Sequence, residues 1–294
     1  MASSHAPATA GASRYFVPEP SAWPFMLTAS IVAVIVGVWG FLEEKNIGPW
    51  LTWIGAAAMI TVIFRWIRGV ARESERGAYN TQVDATYRWG MSWFIFSEVM
   101  FFGAFFGALW YARNLSVPWL GGEGGKAIAQ FLWQGYDAVW PTNGPAQQGG
   151  AFETVAAWEL PFVNTLLLLT SGVTITIAHH ALKENHRRAC ILWMWATVAL
   201  GAGFLGCQAY EYVHAYHELN LTLGSGVYGS TFFMLTGFHG MHVTLGTIML
   251  ISITGRLMAG HFKPDSHFGF EGVAWYWHFV DVVWIGLFIF VYVL

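Results

Sequence analysis

The chain has 294 residues, of which 55% are hydrophobic and 11% charged, with a formal net charge of −3. Soluble domains carry about 25% charged residues, so an ordinary water-facing surface is excluded. The weak acidic balance and the lack of a long basic run leave no footprint for nucleic acid.

Residues 1–15 are rich in Ala and Ser, hold one Arg, and lack the apolar centre of a cleavable signal peptide. The first spanning helix is therefore expected to target the protein. Residues 1–21 read as an inside N-terminal extension, and 22–294 as one seven-helix domain. Seven apolar segments, near 22–42, 48–68, 89–112, 161–182, 190–213, 230–256 and 271–293, are each long enough to cross a hydrocarbon core of about 30 Å. The fold class is an all-α membrane protein with seven transmembrane helices. Segments 2 and 3 are joined by a polar stretch, Arg65 to Arg88. Segments 3 and 4 are joined by the longest loop, Arg113 to Glu159, rich in Gly, Pro, Gln and Trp and expected to cover a surface of the protein or of a partner. Cys190 and Cys207 share segment 5, where a helix holds them about 25 Å apart, too far to bridge.

Lys and Arg set the orientation. With the N-terminus inside, the inside segments hold Arg14, Arg65, Arg68, Arg72, Arg76, Arg88, Lys183, Arg187, Arg188, Arg256 and Lys263. The outside segments hold only Lys45, Arg113 and Lys126. This bias predicts N-in, C-out, and it fits an odd number of spans. Small residues suggest where helices approach: Gly103 and Gly107 on segment 3, Gly201, Gly203 and Gly206 on segment 5, and Thr236, Gly240 and Thr244 on segment 6.

Ionisable groups deep in a bilayer are costly and mark functional positions. Glu98 lies near the middle of segment 3 among Phe94, Ile95, Phe101 and Phe102. Desolvation there favours the neutral acid unless a partner stabilises the anion. Two readings stand: a carboxyl hydrogen-bonded inside the bundle, or a role in proton handling, lipid contact or subunit contact. Asp281 lies at similar depth on segment 7, three residues after His278, and the pair reads as a helix–helix hydrogen bond. His239 and His242, at i, i+3 on segment 6, read as interhelical hydrogen-bonders. His179, His180, His267 and Glu271 fall at inner helix ends and are expected to form a rim cluster, for interfacial hydrogen bonding or for collecting protons. No thiolate cluster, Cys-x-x-Cys-His or His-Glu-x-x-His occurs, so no metal, haem or catalytic site is expected in this chain. Seven helices also suggest a retinal protein, but that chemistry requires a lysine inside the last helix, and Lys45, Lys126, Lys183 and Lys263 all lie in loops.

The last segment, from His267-Phe-Gly-Phe-Glu to Val-Asp-Val-Val-Trp284, resembles the C-terminal motif of cytochrome c oxidase subunit III. So do Tyr228-Gly-Ser-Thr-Phe-Phe233, Gly237-Phe-His-Gly-Met-His-Val243, Leu160-Pro-Phe-Val-Asn-Thr165 with Ala178-His-His180, Gln208-Ala-Tyr-Glu-Tyr212, Ser97-Glu-Val-Met-Phe-Phe102 and Pro20-Ser-Ala-Trp-Pro24. The matches follow the family's order from residue 15 to the C-terminus.

The resemblance implies a two-helix pair and a five-helix bundle with a lipid-filled cleft between them. It implies a non-redox core subunit packed on subunit I, which carries the haems and copper, with subunit II in the same complex and cytochrome c an indirect partner. Such a subunit stabilises subunit I, binds phospholipid and supports proton uptake during reduction of oxygen to water. Glu98 then faces the cleft, and Arg72 and Arg256 belong to the lipid sites. The family's Arg-Glu-Ser matches Arg72-Glu73-Ser74, but its usual His-Thr-Pro is Asn80-Thr81-Gln82 here, after a linker one residue shorter. Ala259 stands near a position that is commonly basic. The longer N-terminus and longer segment 3–4 loop favour a bacterial inner membrane over a mitochondrial one. Two other classes compete. A stand-alone transporter would require more deep polar groups. An accessory subunit of a quinol oxidase or nitric oxide reductase often lacks segments 1 and 2, which are present here.

Overall fold

The computed structural model describes residues 16–125 and 131–294; most of the N-terminal extension, with Arg14, and Lys126 of the long loop lie outside the described residues. Seven helices are long and apolar enough to cross a membrane, and no β-strand occurs among the described residues. They are α1 (Trp23–Leu42), α2 (Gly48–Glu75), α3 (Thr81–Tyr111), α4 (Leu160–Lys183), α5 (Arg187–His217), α6 (Gly226–Met258) and α7 (Phe268–Leu287). Helix α3 continues through a π-helical turn, Ala112–Ser116, and α7 through another, Phe288–Val293.

Helices α2, α3, α5 and α6 outrun the apolar segments read from the sequence. Hydropathy registers only the part inside hydrocarbon, whereas backbone hydrogen bonding carries the helix on through polar residues such as Arg72 and Glu75. Starts and stops follow local chemistry. Pro24, Pro49 and Pro161 sit in the first turns of α1, α2 and α4, where a missing N–H costs nothing. Gly77 (φ 72°) follows α2 and Gly260 (φ 90°) follows α6, the left-handed conformation that closes a helix C-terminus.

The chain divides into two compact units between Tyr87 and Arg88. In the first, α1 and α2 form a hairpin of close backbone contact. A Cβ on Gly48 would overlap the backbone of Gly40 and Phe41, and one on Gly55 would lie 2.8 Å from Val34 N. Small residues thus let the two helices touch along their length.

In the second unit the core is centred on Trp277 of α7, which is fully buried. Its indole lies between Gly201 of α5 and Gly246 of α6; a Cβ on either would come within 2.8 Å of the ring. Its Nε1–H donates to Ser171 Oγ on α4 at 2.8 Å. One side chain therefore joins four helices. Trp284 repeats the arrangement one turn pair later, donating to Thr165 Oγ1 at 2.9 Å. Gln208 of α5 fits against Gly240 and donates to Thr236 O on α6 at 2.9 Å.

Of the other small residues, Gly203 faces Leu167 of α4, where a Cβ would lie 3.9 Å from its Cδ1. A Cβ on Gly103, Gly107 or Gly206 would meet nothing within 4 Å among the described residues. Helix α3 instead turns Phe101, Phe102 and Phe105 towards Phe238 and Phe279, so bulky rings rather than glycines fill that contact. The long loop covers the α5–α6 turn: Glu153 N–H donates to Leu219 O at 2.9 Å, and Asn220 Nδ2 to Ala151 O at 2.8 Å. Cys190 and Cys207 are both free.

Candidate functional site

The polar groups of the second unit fall at two levels, one at mid-span and one at the end carrying Arg88, Lys183 and Arg256. At mid-span, Glu98 Oε2 of α3 lies 3.0 Å from His242 Nε2 of α6. Rings of Phe101, Phe102, Tyr276 and Phe279 surround the imidazole. His242 Nδ1–H donates to Phe238 O at 2.7 Å, which fixes the tautomer. In a neutral ring Nε2 is then an acceptor, so the Glu98–His242 contact must itself hold a proton. Either the acid donates O–H to the ring, or the imidazolium donates N–H to the carboxylate. Both forms leave the pair with no net charge, as a low-dielectric site demands.

His239, one turn away, donates Nε2–H to Val280 O at 3.2 Å and packs on Phe204 and Trp284, joining α6 to α7. His278 reaches α4, where Thr176 Oγ1 lies 3.3 Å from its Nε2. Its Nδ1 stands 3.6 Å from Asp281 Oδ2, beyond hydrogen-bond length. The interhelical bond thus comes from His278 to Thr176, and Asp281 stays on its own helix. A Cβ at Gly172 would overlap Asp281 Oδ2, so this glycine makes the room for the carboxylate.

At the basic end the structure brings together His179 and His267, with Nε2 atoms 3.2 Å apart. His267 Nδ1–H donates to Lys263 O at 3.2 Å, so its neutral Nε2 accepts from His179 Nε2–H. Glu271 is not held by a histidine. It accepts from Arg88 Nη2 at 2.7 Å and Nε at 3.2 Å, an Arg–carboxylate pair that ties α3 to α7. His180 is exposed and is not part of the hydrogen-bonded pair. Arg256 stacks over Phe262 at 4.7 Å.

In the first unit, Arg72 is exposed in the last turn of α2. Tyr79 donates its hydroxyl to Glu73 Oε2 at 2.8 Å; burial, with acceptors at Tyr87 and Glu73, pushes the phenol well above its ordinary range. Asn80 caps α3 by accepting Val83 N–H at 2.9 Å. Asn80→Ala is expected to cost about 1 kcal/mol, read as a lower midpoint in thermal unfolding of the purified protein.

Sequence reasoning missed Glu211. It stood two residues from the end of segment 5, at an apparent interface. Helix α5 instead continues to His217, and Glu211 is 1% exposed, accepting Tyr292 O–H at 2.6 Å. The available signal was an acid one turn inside an apolar run. Arg88 and the Glu98–His242 pairing were missed for a different reason: each joins residues more than a hundred positions apart. Among the described residues no group of three or more His, Cys, Asp and Glu could hold a metal ion.

The family model for cytochrome c oxidase subunit III matches residues 13–125 and 129–294. The chain belongs to the cytochrome c oxidase subunit III family. It is 38% identical over 275 residues to cytochrome c oxidase subunit 3 of Prototheca wickerhamii, covering 93% of this chain and 95% of the relative. Against the Marchantia polymorpha subunit 3 it is 38% identical over 275 residues, 93% and 94% of the two chains. Against the Danio rerio subunit 3 it is 38% identical over 286 residues, 96% and 97%. Membership makes the chain one subunit of an oxidoreductase complex with other subunits. The segments Ser97-Glu-Val99, Phe238-His-Gly-Met-His242 and His267-Phe-Gly-Phe-Glu271 supply Glu98, His242, His267 and Glu271.

Proposed function

We propose that this chain is a non-redox core subunit of cytochrome c oxidase that stabilises subunit I, holds phospholipid and supports proton uptake during oxygen reduction. The observation that carries the reading is the family match along nearly the whole chain, over seven spans. Haem and copper belong to partner subunits, with subunit II in the same complex and cytochrome c reached indirectly. The phospholipid sites involve Arg72 and Arg256, with Glu98 a further lipid-binding or proton-related group; guanidinium groups offer charge-assisted hydrogen bonds to phosphate. The His179–His267 pair and Glu271–Arg88 stand at the cytoplasmic end, as a rim from which protons are collected. The membrane is a bacterial inner membrane, with the N-terminus cytoplasmic and the C-terminus periplasmic, as the Lys/Arg bias favours.

The test compares the purified complex with the complex stripped of this chain. The stripped complex is expected to keep its haem and copper and its initial rate at low pH. It should slow at high pH, where protons are scarce, and lose activity sooner during turnover. Metal analysis of the separated chain should find neither haem iron nor copper in stoichiometric amount. A stripped complex that matches the intact one in pH profile and lifetime overturns the proposal, and one bound copper per separated chain overturns its non-redox part.

A further inference from the structure

A shallow groove of about 400 Å³ runs between α4 and α7, lined by Leu169, Val173 and Thr176 on one side and His278, Val282 and Ile285 on the other. These residues recur at i, i+4 and i+7 on both helices, the spacing by which one helix presents a seam to another. Gly172 at the floor lacks a side chain and leaves a notch beside Asp281.

His278 sits ten residues into α7, about 15 Å from the helix start, and its side chain is 46% exposed. The Asp281 side chain behind it is 7% exposed, and its Oδ1 has no hydrogen-bond partner among the described residues. Thr176 donates its hydroxyl to Gly172 O at 2.8 Å, so it accepts from His278 Nε2–H. The ring's Nδ1 then faces Asp281 Oδ2 at 3.6 Å. Acyl chains offer such a pair no dipole or hydrogen bond, and ionisable groups at this depth normally face protein.

We infer that the α4–α7 groove is the seat of a transmembrane helix from another subunit, which covers His278 and places a polar side chain beside it. The inference rests on the reading that the chain is held in an oxidase complex, and it adds the surface by which it is held. A helix fits better than lipid because the groove combines heptad-spaced apolar rims, a glycine notch and a polar pair at mid-depth. Small residues and interhelical hydrogen bonds are what join helices in a bilayer.

The test places a photoreactive amino acid at Val173 or Val282 in the intact complex. These side chains are 59% and 66% exposed, so the chain's own packing is untouched. Both positions are expected to form adducts with one transmembrane helix of one partner subunit. Val282→Trp should speed loss of the chain from the complex in mild detergent by about tenfold, the equivalent of about 1.4 kcal/mol. Adducts with phospholipid only, with α1 or α2 of this chain, or with a segment outside the membrane overturn the inference, as does a Val282→Trp variant retained like wild type. Lipid-only adducts in a complex that still co-purifies would leave the proposed function standing. A wild-type chain that never co-purifies with oxidase subunits would remove that function and this inference together.

Discussion

Trp277→Ala is expected to be the most damaging single change in the chain, with Gly246→Leu close behind. Trp277 contacts α4, α5 and α6 from α7, and it is fully buried. Truncating it removes an indole from a closed site and the N–H that Ser171 Oγ accepts across the helices, a cavity-forming change of about 3–5 kcal/mol. Gly246→Leu attacks the same contact from the other side. Its Cβ alone would lie 2.8 Å from the indole, so the leucine must push α6 and α7 apart, an overpacking cost of about 1–3 kcal/mol or more. Either variant is expected to lower the amount of chain recovered in the purified complex and to shorten survival in detergent. Gly103→Leu is the control. Among the described residues nothing stands within 4 Å of its Cβ position, so the solubilised chain should keep a wild-type elution profile. If Gly103→Leu disrupts that profile as severely as Gly246→Leu, the packing argument is wrong.

That contrast also marks what the sequence could and could not say. Gly103 and Gly107 form a G-x-x-x-G pair, the stronger motif, yet a Cβ on either meets nothing within 4 Å among the described residues. Gly246 belonged to no motif and lies against the core tryptophan. Spacing along one helix says which residues share a face, but not which face meets a neighbour. The spans were legible because each must bury about 20 apolar residues in lipid, a constraint local in the sequence. The depth of Glu98 was legible for the same reason. Its partner was not, because Glu98 and His242 are 144 positions apart and only packing joins them. Glu211 misled in the opposite direction: its depth depended on how far α5 continues past the apolar run and on the π-helical turn that delivers Tyr292.

Three of the histidines share one arrangement. At His242, His267 and His278 one ring nitrogen is committed to a backbone carbonyl or a hydroxyl. The other is turned towards Glu98 or His179 within hydrogen-bond length, or towards Asp281 at 3.6 Å. Only the first is both at mid-span and enclosed by aromatic rings.

Glu98→Gln and Glu98→Ala should therefore part company. The redox centres of the proposed complex lie in partner subunits, so neither variant is expected to change the first turnovers. In Glu98→Gln the amide N–H can donate to His242 Nε2, which keeps the α3–α6 link but removes the exchangeable proton. Glu98→Ala removes the link and leaves a buried ring nitrogen unpaired, at a cost of about 1–3 kcal/mol. The expected result is near-normal assembly and lifetime for Gln, and for Ala a loosened chain with faster inactivation during turnover. The deciding measurement is the pH profile of Glu98→Gln. If it matches wild type from low to high pH, the shared proton serves packing, and Glu98 holds α3 to α6. If Gln slows turnover only at high pH, while assembly and lifetime stay normal, the packing account fails. The pair would then take part in proton supply, because an amide preserves its shape and hydrogen bond and abolishes only its titration.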